Sequence, residues 1–353
     1  MFRAHRPGRL IAAAALATAS LLVLTGCNPP SKQANDGPLP TDEAELVEAA
    51  QQEGKVSLGA GGHTNAQAEL LAEKFEEKYD IPVEFIRENS GQISQKVEAQ
   101  KDAGNVAFDV ISLNDSSTLG TWSADDVLAD PAVPNLDDVL APLQVDDEHY
   151  VAFTWAAAGF VYNEAKIDAS TIPKTWMELA ESDSRKVIAD PGTSGAALNF
   201  LGALNETAAD VLPVLGAGDV LRSESALALG QMVSTGEADY GLPGIEHDVA
   251  TARTAGEPLA MGYPEGKLGV LPSYIAPLSS AAHPAAARLL VQFSLSEEFQ
   301  QAQRELGSRS VLGAVPVPEG LEELGEDRML MIDQTELAAE RDELLAEFDR
   351  DVK

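Results

Sequence analysis

From Thr41 onward the apolar positions follow two alternating periods. Thr41 suits an N-cap, Glu43 and Glu45 fall in the first turn, and a helix is predicted to about Gln52, ended by Gly54. Lys55 to Ala60 reads as a strand. In Thr64 to Tyr79, Leu71, Phe75 and Tyr79 recur at helical spacing and mark one buried face. A second strand, Pro82 to Ile86, a helix from about Gln92 to Ala103 and a β-rich run, Ala107 to Leu113, complete the order strand, helix, strand, helix, strand. That order suits right-handed crossovers and a parallel sheet. Ligands of such sheets sit outside the carboxyl ends of the strands. Three loops occupy those ends: Gly61 to Thr64, Asn89 to Gln92, and Asn114 to Ser117.

The second half repeats the logic. Val151 to Tyr162 is a long, nearly uncharged run, readable as a strand crossing between lobes. Pro173-Lys174-Thr175-Trp176 opens a helix, Lys186 to Ala189 is a short strand, and Asp190 to Gly195 turns into a helix from about Ala196 to Leu204. Thr193 and Ser194, flanked by glycines at a helix N terminus, offer backbone N–H groups, two hydroxyl donors and the positive end of the dipole to an anion; an ordinary N-cap uses the same residues. Ala238 to Leu242 reads as a strand, Pro243-Gly244 as a turn, and Glu246-His247-Asp248 as an exposed loop or a second wall of the crevice. Pro258 to Tyr263 and Leu268 to Pro277 are further strands. His283 to Phe293, Glu297 to Leu306 and Asp333 to Val352 are helices, the last with Leu337, Leu344, Leu345 and Phe348 inward.

Charge and the N terminus narrow the function. The chain has 353 residues, 57 Asp or Glu against 24 Lys or Arg, and a net charge of -33. That length suits two lobes. A surface this acidic disfavours nucleic acid and anionic lipid as partners. One cysteine excludes an intramolecular disulfide and any multi-cysteine metal centre. Arg3, Arg6 and Arg9 precede the apolar run Leu10 to Val23, and Leu24-Thr25-Gly26-Cys27 follows. Residues 1–26 therefore read as a signal peptide. The site resembles the bacterial lipobox, which implies a lipidated Cys27 at the outer face of the cell membrane. Residues 27–40, rich in Pro, Asn, Asp and Gly, read as a flexible tether.

The order of motifs resembles the extracellular solute-binding proteins of ABC importers, in the ferric-iron, phosphonate and thiamine branch. The stretches that carry it are Gly61-Gly62-His63, Phe108-Asp109-Val110, Phe160-Val161-Tyr162-Asn163, Pro173-Lys174-Thr175-Trp176, Asp190 to Ala196, Gly236-Glu237-Ala238-Asp239 and Ser294-Leu295-Ser296. The resemblance implies an α/β, two-lobed type II periplasmic-binding-protein fold. Each lobe is then a mainly parallel sheet flanked by helices, with the ligand cleft between lobes and hinge closure on binding. It sets lobe 1 at 41–155 and 265–353 and lobe 2 at 156–264. An ABC permease is the implied partner, a monomer the expected state, and no cofactor is expected.

Ferric-binding members place a tyrosine pair where this chain has Glu246-His247, and an acidic ligand where it has Asn114-Asp115. His63 stands at the position of a family histidine. Two ligand readings follow. His63, Glu246 and His247 hold a metal ion; or Ser90, Thr193 and Ser194, with Gly91, Asn114, Gly195 and Ala196 around them, hold a phosphate or phosphonate while Asp115, Glu246 and His247 meet its organic part. The second is preferred, because the anion loop fits it directly. A secreted hydrolase is the remaining alternative. It lacks a Gly-x-Ser-x-Gly elbow, a His-Glu-x-x-His pair and a phosphate-binding Gly-x-x-x-x-Gly-Lys loop.

Overall fold

In the computed structural model, residues 38–353 are described except 103–105, 135, 225 and 227. The signal peptide, Cys27 and most of the tether lie outside the described residues. Helix α1 (Glu43–Glu53) is capped by the Asp42 side chain, and Gly54 ends it at φ 82°. There follow β1 (Val56–Ala60), α2 (Asn65–Tyr79), β2 (Val83–Arg87), α3 (Ser90–Asp102), β3 (Val110–Leu113), α4 (Ser116–Ala124) and the thirteen-residue strand β4 (Val151–Asn163). The chain continues through α5 (Trp176–Glu181), β5 (Lys186–Ala189), α6 (Gly195–Ala208), α7 (Val211–Ala217), β6 (Val220–Ser223), α8 (Ala228–Thr235), β7 (Tyr240–Ile245) and α9 (Glu246–Thr254). It closes with β8 (Leu259–Gly262), β9 (Leu268–Pro277), α10 (Pro284–Ser294), α11 (Glu297–Arg304), β10 (Met329–Met331) and α12 (Gln334–Asp351).

The strand order is β2-β1-β3-β9-β4-β7-β5-β6, with β10 beside β9 and β8 beside β4. Strands β1, β2 and β3 are mutually parallel. So are β5, β6 and β7. The inner strands β1, β3, β5 and β7 are almost wholly buried, as burial on both faces of a parallel sheet demands, whereas β2 and β6, at the two ends of the strand order, are partly exposed. Strand β4 joins the two sets: Val151 to Ala157 pairs antiparallel with β9, and Ala158 to Asn163 with β7 and β8. All of its residues are buried. Because side chains alternate across a strand, Phe160 and Tyr162 enter one second-lobe core with Trp176 and Phe200, while Val161 enters another with Val187 and Leu229. The first-lobe core gathers Leu58, Leu71, Phe75, Ile111, Phe153 and Phe293.

The direction of these strands fixes the cleft. Strand β3 is antiparallel to β9, which is antiparallel to β4, so β1 to β3 run toward the second lobe. Strand β7 is antiparallel to β4, so β5 to β7 run toward the first. The carboxyl ends of both parallel sets therefore face one another.

Three expectations are corrected. Pro243-Gly244 does not turn the chain; both lie inside β7, after a cis Leu242-Pro243 bond. Glu246-His247-Asp248 is not a loop but the first turn of α9. The expected first-lobe segment 265–353 does not hold to its end, because α12 packs Leu337, Leu344 and Phe348 into the second-lobe core. Leu345 on the same helix is only half-buried.

Candidate functional site: a cleft between facing strand ends

On the first-lobe wall, three loops crowd together. Gly61 N–H and Gly62 N–H both donate to Ser112 O at 2.8 Å, and a Cβ added at Gly61 would lie 2.7 Å from that carbonyl. Only glycine allows the approach. Ser90 Oγ accepts from Asn114 N–H (3.1 Å) and lies within hydrogen-bonding distance of Gly61 O (3.1 Å) and Asn114 Oδ1 (3.2 Å). Asn114 Nδ2 donates to Ser273 Oγ on β9. The expected loop at Asn89 to Gln92 is in fact a helix start: the Asn89 side chain caps Gln92 N–H and Gln92 Oε1 receives Asn89 N–H. Ser90 and Gly91 thereby become the first residues of α3, and their own N–H groups have no acceptor among the described residues. Asp115 caps α4, accepting from Ser117 N–H, Thr118 N–H and Thr118 Oγ1.

The second-lobe wall is the turn after β5. Ser194 caps α6, its Oγ accepting from Ala197 N–H at 3.3 Å. Gly195 and Ala196 N–H have no acceptor among the described residues. Thr193 Oγ1 lies 2.8 Å from Glu224 O and 3.2 Å from Asp190 O, so its proton is directed to backbone. Asp190 enters the same turn through Gly192 N–H, but Arg222 Nη2 pairs with it at 2.5 Å. Although burial works against its charge, the Arg222 and Gly192 bonds hold the Asp190 carboxyl below its ordinary range.

His63 and Glu246 take other roles than expected. His63 is 1% exposed and stacks on Phe153 with ring centroids 4.2 Å apart. Its Nδ1 lies 2.6 Å from Ser112 Oγ, and Nε2 has no hydrogen-bond partner among the described residues. Glu246, also 1% exposed, gives both carboxylate oxygens to Arg309, Tyr263 and Ala157 N–H. His247 is half-buried beside Asp248 at 3.5 Å. Among the described residues no group of three or more His, Cys, Asp or Glu side chains is placed to hold a metal ion. The expected set of His63, Glu246 and His247 is therefore not assembled, and Glu246 does not line the cleft, because Arg309 has taken its charge.

Burial, aided by the Arg87 charge, pushes the His63 imidazole down to about 3. The unfolded chain takes up a proton below about pH 6.5 and the folded chain resists until about pH 3, so this group makes stability fall as pH is lowered through that window. Urea unfolding at pH 7, 5 and 4 is expected to show a shallower acid loss for His63→Gln than for the wild type. Parallel losses would refute a buried neutral imidazole.

Two residues escaped the sequence reading. Arg87, the last residue of β2, is exposed, donates from Nε to His63 O at 3.0 Å, and forms no ion pair among the described residues. It sits on the wall that carries Ser90. Arg309 is the one charge between Glu305 and Glu319, and that isolation was the available signal.

Residues 60–301 match the family of bacterial extracellular solute-binding proteins, and the chain belongs to that family. Its fold is the two-lobed one of the type II periplasmic binding proteins. An uncharacterised protein of Haemophilus influenzae is 28% identical over 253 residues, 67% of this chain and 72% of that one. Iron-bound HitA from Pseudomonas aeruginosa superposes with a TM-score of 0.69 at 23% identity, over 83% of this chain and 99% of that one. The periplasmic binding protein AfuA from Actinobacillus pleuropneumoniae, with fructose-6-phosphate bound, gives 0.67 at 23%, over 84% and 98%. No helix among the described residues is long and apolar enough to cross a membrane.

Proposed function

We propose that this protein captures a phosphate- or phosphonate-bearing organic solute between its lobes and delivers it to an ABC permease, while a lipid on Cys27 keeps it at the outer face of the membrane. One observation carries the reading: α3 and α6 begin at facing strand ends, each with two N–H groups that have no acceptor among the described residues. A helix N terminus favours an anion through those donors and its dipole. Ser194, Ser90 and Asn114 flank the two N termini, and Arg87 adds a positive charge in a protein of net charge -33. Thr193 shapes the turn, while Asp115 and His247 stand near the organic part. A transferring group, an activated nucleophile and a metal centre play no part in this reading.

The test uses the Cys27→Ser protein. Mass spectrometry of solute released from freshly purified, unheated protein is expected to give a phosphorus-containing compound, and calorimetry with inorganic phosphate and fructose 6-phosphate to give binding that a chelator leaves intact. One tightly held transition-metal ion per chain would overturn the reading. So would a released solute without an anionic group.

A further inference from the structure

Among the described residues the chain passes between the lobes three times, and all three passages meet at one buried ion pair. The first is β4, which supplies Trp155 and Ala157. The second runs from β8 to β9 and supplies Tyr263. The third leads from Val315 in the first-lobe core to Ile332 in the second and supplies Glu322. At their meeting point Arg309 Nε donates to Glu246 Oε1 (2.9 Å) and Oε2 (2.8 Å), and Nη2 to Oε1 (2.8 Å). Ala157 N–H donates to Glu246 Oε2 (3.0 Å), Tyr263 OH to Oε1 (2.6 Å), and Arg309 Nη2 to Glu322 O (2.6 Å). The guanidinium carbon lies 4.9 Å from the Trp155 ring centroid and 5.9 Å from that of Tyr263. Both charged residues are 1% exposed.

The pair also joins the lobes themselves. Arg309 belongs to the first-lobe side, where Thr154 Oγ1 donates to its carbonyl and its neighbour Ser310 bonds Gln300 on α11. Glu246 is the first residue of α9, whose Val249 lies in a second-lobe core. Gly307, at φ 73°, brings the loop onto α9 so closely that a Cβ there would meet Ala250 Cβ at 2.2 Å. On β4 the pairing register shifts on both sides of this point, between Ala152 and Thr154 and between Gly159 and Val161. Such irregularities bend a strand.

We infer that the Arg309–Glu246 pair is the pivot on which the two lobes turn, and that it sets the resting separation of the cleft walls. A rotation about an axis remote from the pair must break a buried bidentate contact, which is costly. A rotation about an axis through it leaves every bond in place. Arg309 and Glu246 are thus positioning residues that act on the solute only through the angle between the lobes. The inference needs the two-lobed fold and no particular solute.

The test is made without solute, so its failure is distinct from failure of the phosphate reading. Spin labels at Glu77→Cys on α2 and Glu206→Cys on α6, in the Cys27→Ser background, report the interlobe distance by pulsed electron resonance. Glu246→Gln and Arg309→Lys are expected to shift or broaden the distribution while circular dichroism stays unchanged. Folded variants with the parent distribution would overturn the inference. In the parent protein, which needs no substitution at the pair, the Ala157 amide is expected to exchange as slowly as the core strands; exchange at the rate of an exposed hinge would equally sink it.

Discussion

Arg309→Met is expected to lower the unfolding free energy by about 3 to 5 kcal/mol, because it leaves the Glu246 carboxylate buried without its counter-charge. The size follows from what remains. Ala157 N–H and Tyr263 OH still donate to Glu246, but neither carries a charge, and the carboxylate is 1% exposed. Arg309 itself shows the strength of the coupling: burial opposes its charge, yet attraction and hydrogen bonds from Glu246 hold its pKa above the ordinary value. Glu246→Gln removes the charge, and its one amide oxygen can still accept from Ala157 N–H while its Nε2–H donates to the Tyr263 oxygen. The double variant Arg309→Met/Glu246→Gln is therefore expected to be more stable than Arg309→Met alone. Urea unfolding of the four proteins at pH 7 gives the coupling directly. Strict additivity would show that the two side chains are independent.

Why that pair was invisible in the sequence is a matter of range. Local patterning reported local structure well: Lys186 to Ala189 and Leu268 to Pro277 are strands with the bounds their apolar runs suggested. Helix α2 begins after Thr64 because Thr64 and Gln67 form a reciprocal cap, a signal readable from spacing. Signals failed where tertiary context overrode them. The expectation of a turn at Pro243-Gly244 gave way to a cis bond inside a buried strand, where Gly244 lets β7 pass against the Phe160 backbone. Helix α9 has no capping side chain at Ile245, so nothing local announced it. Helices α4, α7 and α8 and strands β6 and β10 are short and weakly patterned, so no apolar period marks them in the sequence. The strand-end rule points to the loops that follow the strands; it has no means of pairing Glu246 with an arginine 63 positions on, in an irregular loop.

Ser194→Ala is expected to weaken binding of a phosphate-bearing solute by about 10- to 100-fold, the loss of one charge-assisted hydrogen bond. Ser194 Oγ accepts from Ala197 N–H, which leaves its own proton to donate outward. The same change removes a helix cap, with an expected cost of about 1 kcal/mol in stability. Two roles are thus lost together, and Ser194→Asp separates them. Aspartate caps a helix as well as serine does, so unfolding should resemble the wild type, but its charge meets the anion at the N terminus of α6. Binding is expected to fall further than in Ser194→Ala. Thr193→Ala should matter less, since the Thr193 hydroxyl is directed to Asp190 O and Glu224 O rather than to the cleft. Calorimetric titration of the three variants with fructose 6-phosphate, beside urea unfolding of each, reads both quantities. Wild-type affinity in Ser194→Asp would reduce Ser194 to a cap and move the anion elsewhere in the cleft, with Arg87 and the N terminus of α3 the remaining candidates.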